Sequence, residues 1–342
     1  MSEIATNAYN NNLEARHLAG LEGFPKVMKD YYEEGAASQR TSKGAFLNVA
    51  KRFVTYLRNE KGMIIDDNPI RWLTITKRDV KDFVKSCQVR TLKDGTQKKI
   101  KYKTITDYVI ALNSFFNFLV EEGYVKTNIV PTMKELDKIV EKNQEEHQVV
   151  AMTKEEVTKV REHIMATSKL PKRDMCIFML GCANGLRVRP LTFIDISDIC
   201  FDEFDPFLRV KEKGGKSRQV KLSLDVVQAI KECIEERQKF GPVAHAEDAD
   251  ALFLRDYHGE VARIGYFTVS NLLEKHTQML DKHITPHKMR STCITTTYNV
   301  TEDIYQAQEA AGHESIRTTA RYIDSSKKRR KATNDVSNYL FN

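Results

Sequence analysis

Three short segments, far apart in the chain, carry side chains that together could act on an oxyanion. They are Gly185-Leu186-Arg187, Thr285-Pro286-His287-Lys288-Met289-Arg290, and Ala311-Gly312-His313 with Tyr322 nine residues on. Arg187 and Arg290 offer planar guanidinium forks suited to bidentate contact with phosphate oxygens, and they stay charged at any working pH. The three-residue spacing in His287-x-x-Arg290 places both side chains on one helix face, with Pro286 suited to the first helical position. Gly312 predicts a helix stop through a left-handed cap, closing a segment that opens Thr301-Glu302-Asp303. Taken singly, each segment also has a plain reading: a surface pair, or a structural histidine at a helix end.

Taken together they narrow the choice. Arg187 comes first, then Lys213 in a Gly-Gly hairpin, then His287-x-x-Arg290, then Gly312-His313, then Tyr322. This order and spacing resembles the tyrosine recombinases, also called the phage integrase family. The strings NGLRVRPLTFIDISDI, VKEKGGKSRQVKLS, ITPHKMRST and AAGHESIRTTARYID are similar to that family's boxes. The resemblance covers 153–326 as a catalytic domain, and 40–125 resembles the helical core-binding domain that precedes it.

The resemblance implies site-specific DNA recombination. Tyr322 would attack the scissile phosphate to give a 3′-phosphotyrosyl link, although a phenol near pKa ~10 needs help to ionise at neutral pH. Arg187 and Arg290 would clamp the non-bridging oxygens, His287 would serve as general base or acid, and His313 would donate to a phosphate oxygen. Lys213 would protonate the departing 5′ oxygen, with Lys216 as the alternative; the plain reading of both is a solvated turn touching the DNA backbone. Neither metal nor nucleotide cofactor is expected, because bond energy would be kept in the protein–DNA link and no phosphate-binding Gly-x-x-x-x-Gly-Lys-Ser/Thr loop occurs. Competing readings are a type IB topoisomerase-like enzyme and a DNA-binding regulator with an inactive catalytic domain. One departure stands out: many family members carry an acid three positions after the first arginine, where this chain has Pro190, and Asp195 or Asp198 are the candidate substitutes.

The elements that must position these residues follow from composition and pattern. A chain of 342 residues is expected to form about two domains at roughly 150 residues each. Only 15 Gly and 8 Pro favour long helices over disorder. The formal net charge of +7 suits a polyanionic partner or mere solubility. No apolar run approaches the ~18 residues of a membrane span and the polar start lacks a signal-peptide core, so a cytoplasmic, DNA-associated protein without membrane contact is expected. The six cysteines are scattered without a C-x-x-C pair, which argues against zinc sites and a disulfide framework.

Periodicity predicts helices over 41–57, from the Thr76 capping box to about Cys87, over 105–119 closed by Gly123, and from the Thr153/Glu156 capping box over 155–166. Further helices are expected over 172–183, 224–240, 265–280, 287–299 and 302–311, with strands at Phe207–Val210 and Arg218–Leu222. The aromatics between 105 and 119 read as core and not as base-stacking groups. A basic loop or hairpin carries Arg90, Lys93, Lys98, Lys99, Lys101 and Lys103; with Lys216 and Arg218 these are the expected DNA contacts, giving salt-sensitive affinity.

The expected architecture is mainly α with a small β-sheet in the catalytic domain, forming a two-domain clamp on duplex DNA. Its parts are an N-terminal extension (1–39, partly disordered and partly helical), the helical domain (40–125), a linker (126–152), the catalytic domain (153–326) and a basic run with an apolar tail (327–342). The resemblance further implies a homo-tetramer on two DNA sites, tails docked on neighbouring subunits, and accessory DNA-bending proteins as candidate partners.

Overall fold

The computed structural model describes residues 12–34, 40–92, 94–142, 150–211 and 217–323. The chain divides into two compact units, one within Ala8–Glu146 and the other within His147–Asn342. No helix among the described residues is long and apolar enough to cross a membrane.

The first unit is helical. A helix α1 over 12–19 is followed by α2 (Lys26–Glu33), α3 (Arg40–Lys61), the single turn α4 (Pro69–Trp72), α5 (Lys77–Ser86), the strands β1 (Val89–Thr91) and β2 (Gln97–Lys99), α6 (Tyr102–Glu121) and the turn α7 (Met133–Leu136). Thr76 opens α5 with both bonds of a capping box in place. The stripe read from α6 is the core: Phe115 and Phe116 are fully buried, and Tyr31 and Trp72 meet Phe115 edge-on at 5.2 and 5.9 Å between ring centroids. Each such side chain contributes about 1.5–3 kcal/mol by leaving water, so these aromatics act in packing. The same core takes in Val27, Met28, Tyr31 and Tyr32 from the segment read as an extension, and Val130, Leu136 and Val140 from the segment read as a linker.

The basic segment forms a two-stranded hairpin in which Arg90 lies opposite Lys98. Lys99 pairs with Glu141 at 2.7 Å and Lys103 with Asp107. Lys101 stands at the N-cap of α6, and Lys93 lies outside the described residues.

The second unit is built around α9 (Pro171–Cys182), whose Cys176, Ile177, Phe178 and Leu180 are fully buried. It follows α8 (Lys154–Thr167), opened by the complete Thr153/Glu156 capping box, and precedes the short α10 (Val188–Thr192). Next come β3 (Ile199–Cys200), β4 (Phe207–Lys211) and β5 (Ser217–Lys221) in one antiparallel sheet ordered β3-β4-β5, paired from Phe207↔Lys221 to Lys211↔Ser217. The β4–β5 turn, with Lys213 and Lys216, lies outside the described residues. The helix α11 (Leu224–Arg237) leads to a hairpin, β6 (Leu254–Tyr257) and β7 (Glu260–Arg263), which periodicity did not predict. The chain then runs through α12 (Tyr266–Thr277), α13 (Pro286–Thr301), α14 (Ile304–Ala311) and α15 (Ile316–Ala320).

Candidate active site

The site grows from the packing of α13 on α9. Pro286 occupies the first helical position of α13, where its missing N–H costs nothing and its fixed φ suits the helix. Met289 of that first turn is buried against Gly181, where a Cβ would lie 2.7 Å from the Met289 side chain. This close approach directs Arg290 inward and leaves His287 exposed on the same helical turn. Arg290 is 1% exposed, and its Nη1 donates to the carbonyl oxygen of Gly185 at 2.5 Å. Gly185 has φ +60°, the left-handed conformation that glycine adopts without strain, and it turns the chain from α9 toward Arg187 at the N-cap of α10. One arginine is thus docked on the turn that presents the other.

The last three helices deliver the histidine and the tyrosine. Asp303 caps α14, its carboxylate accepting from the Tyr305 amide at 2.7 Å, and Gly312 ends the helix at φ +59°. His313 follows, 9% exposed, with its carbonyl oxygen accepting from Gln308 Nε2 at 2.8 Å and its Nδ1 2.9 Å from the hydroxyl of Thr319. Tyr322 comes just after α15: its amide donates to Thr319 O at 2.9 Å, and its own carbonyl accepts from Thr295 Oγ1 of α13 at 3.4 Å. The phenol oxygen lies 3.0 Å from His287 Nε2, and the ring stacks on His313 at 5.8 Å and 28°.

The electrostatics are those of a cationic pocket. Burial, then the charges of Arg290, Arg187, His287 and Arg218, lower the His313 pKa to about 4, so this imidazole is neutral at working pH. Burial raises the Tyr322 phenol, while Arg290, Arg187 and Arg321 oppose that shift and favour the phenolate. Because His313 is neutral in the fold and protonatable at about 6.5 when unfolded, its contribution to stability is fully present above about pH 6.5 and is lost as pH falls toward 4. Thermal melts of wild type and His313→Asn from pH 8 to 4 should show the wild-type advantage shrinking across this window.

Of the residues read from sequence, Arg187, His287, Arg290, His313 and Tyr322 converge here. Lys213 and Lys216 fall outside the described residues. Arg218, grouped with the DNA contacts, stands at the site: a Cβ on residue 312 would come 2.6 Å from its Nε. Gly312→Ala therefore meets both a left-handed backbone and the Arg218 side chain. We expect it to cost about 1–2 kcal/mol of stability, measured by denaturant unfolding, and to slow DNA cleavage further by displacing Arg218. Of the candidate substitutes for the missing acid, Asp195 pairs with Arg263 at 2.6 Å, and an Asp198 carboxylate oxygen accepts from the Asp195 amide at 3.2 Å. Sequence reasoning missed Thr295 and Thr319, whose only visible signal is a place on helices flanking the tyrosine.

Comparison with known proteins follows the same outline. Residues 150–329 match the family described as the phage integrase family. The tyrosine recombinase XerC of Caldanaerobacter subterraneus subsp. tengcongensis is 29% identical over 93% of this chain and 89% of its own length. The tyrosine recombinase XerS of Streptococcus equi subsp. zooepidemicus is 25% identical over 89% and 94%. Among solved structures, the XerH site-specific recombinase in a post-cleavage complex with a palindromic difH substrate superimposes with a TM-score of 0.62 at 18% identity, covering 88% of this chain and 82% of that one. A lambda integrase dimer bound to a COC′ core site gives 0.59 at 17% identity, covering 87% and 93%. At these identities the structural likeness is one of fold.

Proposed function

The chain belongs to the phage integrase family and is a site-specific DNA recombinase of the tyrosine type; on that premise we propose that Tyr322 is its nucleophile, His287 the base that receives the phenol proton, and Arg187, Arg290 and His313 the donors that hold the scissile phosphate. The observation that carries this reading is the 3.0 Å contact between Tyr322 Oη and His287 Nε2 beside a buried arginine.

The proposed step balances within the chain and its substrate. As Tyr322 Oη attacks phosphorus, its proton passes to His287 Nε2; the bond to the 5′ oxygen breaks, and that oxygen takes a proton from Lys213. Charge accumulates on the non-bridging oxygens, where prearranged guanidinium and imidazole donors stabilise it at no reorganisation cost. Reversal with a different 5′ hydroxyl rejoins the strand. In this reading the enzyme acts as a tetramer on two DNA sites, with cations of the β1–β2 hairpin contributing sequence-independent affinity.

The test is incubation of the protein, without metal or ATP, with nicked duplexes tiled across the DNA flanking its own gene, followed by denaturing electrophoresis. A covalent adduct whose tryptic peptide carries the nucleotide on Tyr322 is the expected result. An adduct on another residue, or none despite specific binding, would refute the assignment.

A further inference from the structure

Thr319 lies in α15 between the histidine and the tyrosine and is completely buried. Its carbonyl takes the Tyr322 amide at 2.9 Å, and its hydroxyl lies 2.9 Å from His313 Nδ1. Among the described residues, that imidazole nitrogen is the one partner the hydroxyl has. A neutral imidazole has one protonated and one bare nitrogen, so the pair admits two arrangements. If Nδ1–H donated to Thr319, the buried O–H would have nothing to donate to, at a substantial cost; if the hydroxyl donates to a bare Nδ1, its proton is satisfied and only a lone pair goes unused. We propose that Thr319 is a positioning residue that fixes His313 as the tautomer protonated on Nε2.

The consequence rests on the phosphate-donor role given above to His313. A neutral imidazole can donate to a phosphate oxygen only through the nitrogen that bears its proton. With Nδ1 turned to Thr319, the free nitrogen is Nε2, and the proposed tautomer makes it a donor. The opposite tautomer would set a lone pair against the phosphate. Because burial and the surrounding cations keep the ring neutral, the hydroxyl supplies the orientation that an acidic neighbour provides for many metal-bound or catalytic histidines.

The test is nitrogen-15 NMR of histidine-labelled full-length protein, with His313 assigned by the resonance that His313→Asn removes. Wild type should show the protonated nitrogen at Nε2, Thr319→Ser should preserve it, and Thr319→Val should lose the preference. Cleavage of a nicked duplex should slow about tenfold in Thr319→Val, the worth of one hydrogen bond, and stay within about threefold of wild type in Thr319→Ser. A wild-type His313 protonated on Nδ1 would overturn the proposal, as would a Thr319→Val protein with unchanged tautomer and rate. The wild-type spectrum decides the matter even if Thr319→Val does not fold. If no tyrosyl adduct forms while His313 shows the Nε2–H signature lost in Thr319→Val, the tautomer assignment stands and the functional reading fails.

Discussion

Tyr322→Phe should abolish the covalent protein–DNA adduct, a loss of at least about 10⁴-fold set by the detection limit of the gel. The substitution removes one oxygen and little else. The ring that stacks on His313 and packs with Ile294, Ala307 and Ala311 is retained. The lost hydrogen bond to His287 lies at an exposed position and should change stability by less than about 1 kcal/mol. DNA affinity by gel shift should stay within about threefold of wild type. A phenylalanine variant that still formed adduct would transfer the nucleophile's role to another residue, and one that no longer bound DNA would mean the phenol acts in binding.

The second large effect separates the two arginines. Replacing either by lysine keeps the charge and removes the planar fork, and each variant should lose about 10²–10³-fold in cleavage rate. Their stabilities should part. Arg290 is buried with a guanidinium nitrogen on the Gly185 carbonyl, so Arg290→Lys leaves a buried acceptor poorly served and should cost about 1–3 kcal/mol. Arg187 is exposed, and Arg187→Lys should melt within about 0.5 kcal/mol of wild type. Single-turnover cleavage alongside chemical unfolding measures both quantities. Equal stability losses in the two variants would contradict the docked-arginine arrangement.

Much of this was readable from residue patterns, for reasons that can be named. Capping boxes at Thr76 and Thr153 announce themselves because both partners lie within one turn, and the α6 stripe is long enough for its period to be unmistakable. The boxes around Arg187, His287, His313 and Tyr322 could be assembled because their order is a strong joint signal. The β6–β7 hairpin escaped because its tight turn uses His258-Gly259, both at positive φ, where Asn-Gly or Asp-Gly is the usual cue. The short α10 and α15 hold five residues each, too few to show a period. The pairing of Asp195 with Arg263 spans 68 residues, and no local pattern reports such a contact. The place of Thr319 next to the tyrosine was a weak cue because a threonine in a short helix ordinarily faces solvent, and its value lies in what the fold sets beside it.

The tie between α13 and the tyrosine segment has a genetic corollary. His287, Arg290 and the Thr295 hydroxyl that holds the Tyr322 carbonyl all come from one helix, and the tyrosine they receive belongs to the same polypeptide. Among the described residues, the proposed base, the buried arginine and the proposed nucleophile thus come from one polypeptide. On the proposed roles, two defective alleles, one carrying Tyr322→Phe and the other Arg290→Lys, are expected not to complement each other when mixed, because the tyrosine and the arginine that meet belong to the same chain.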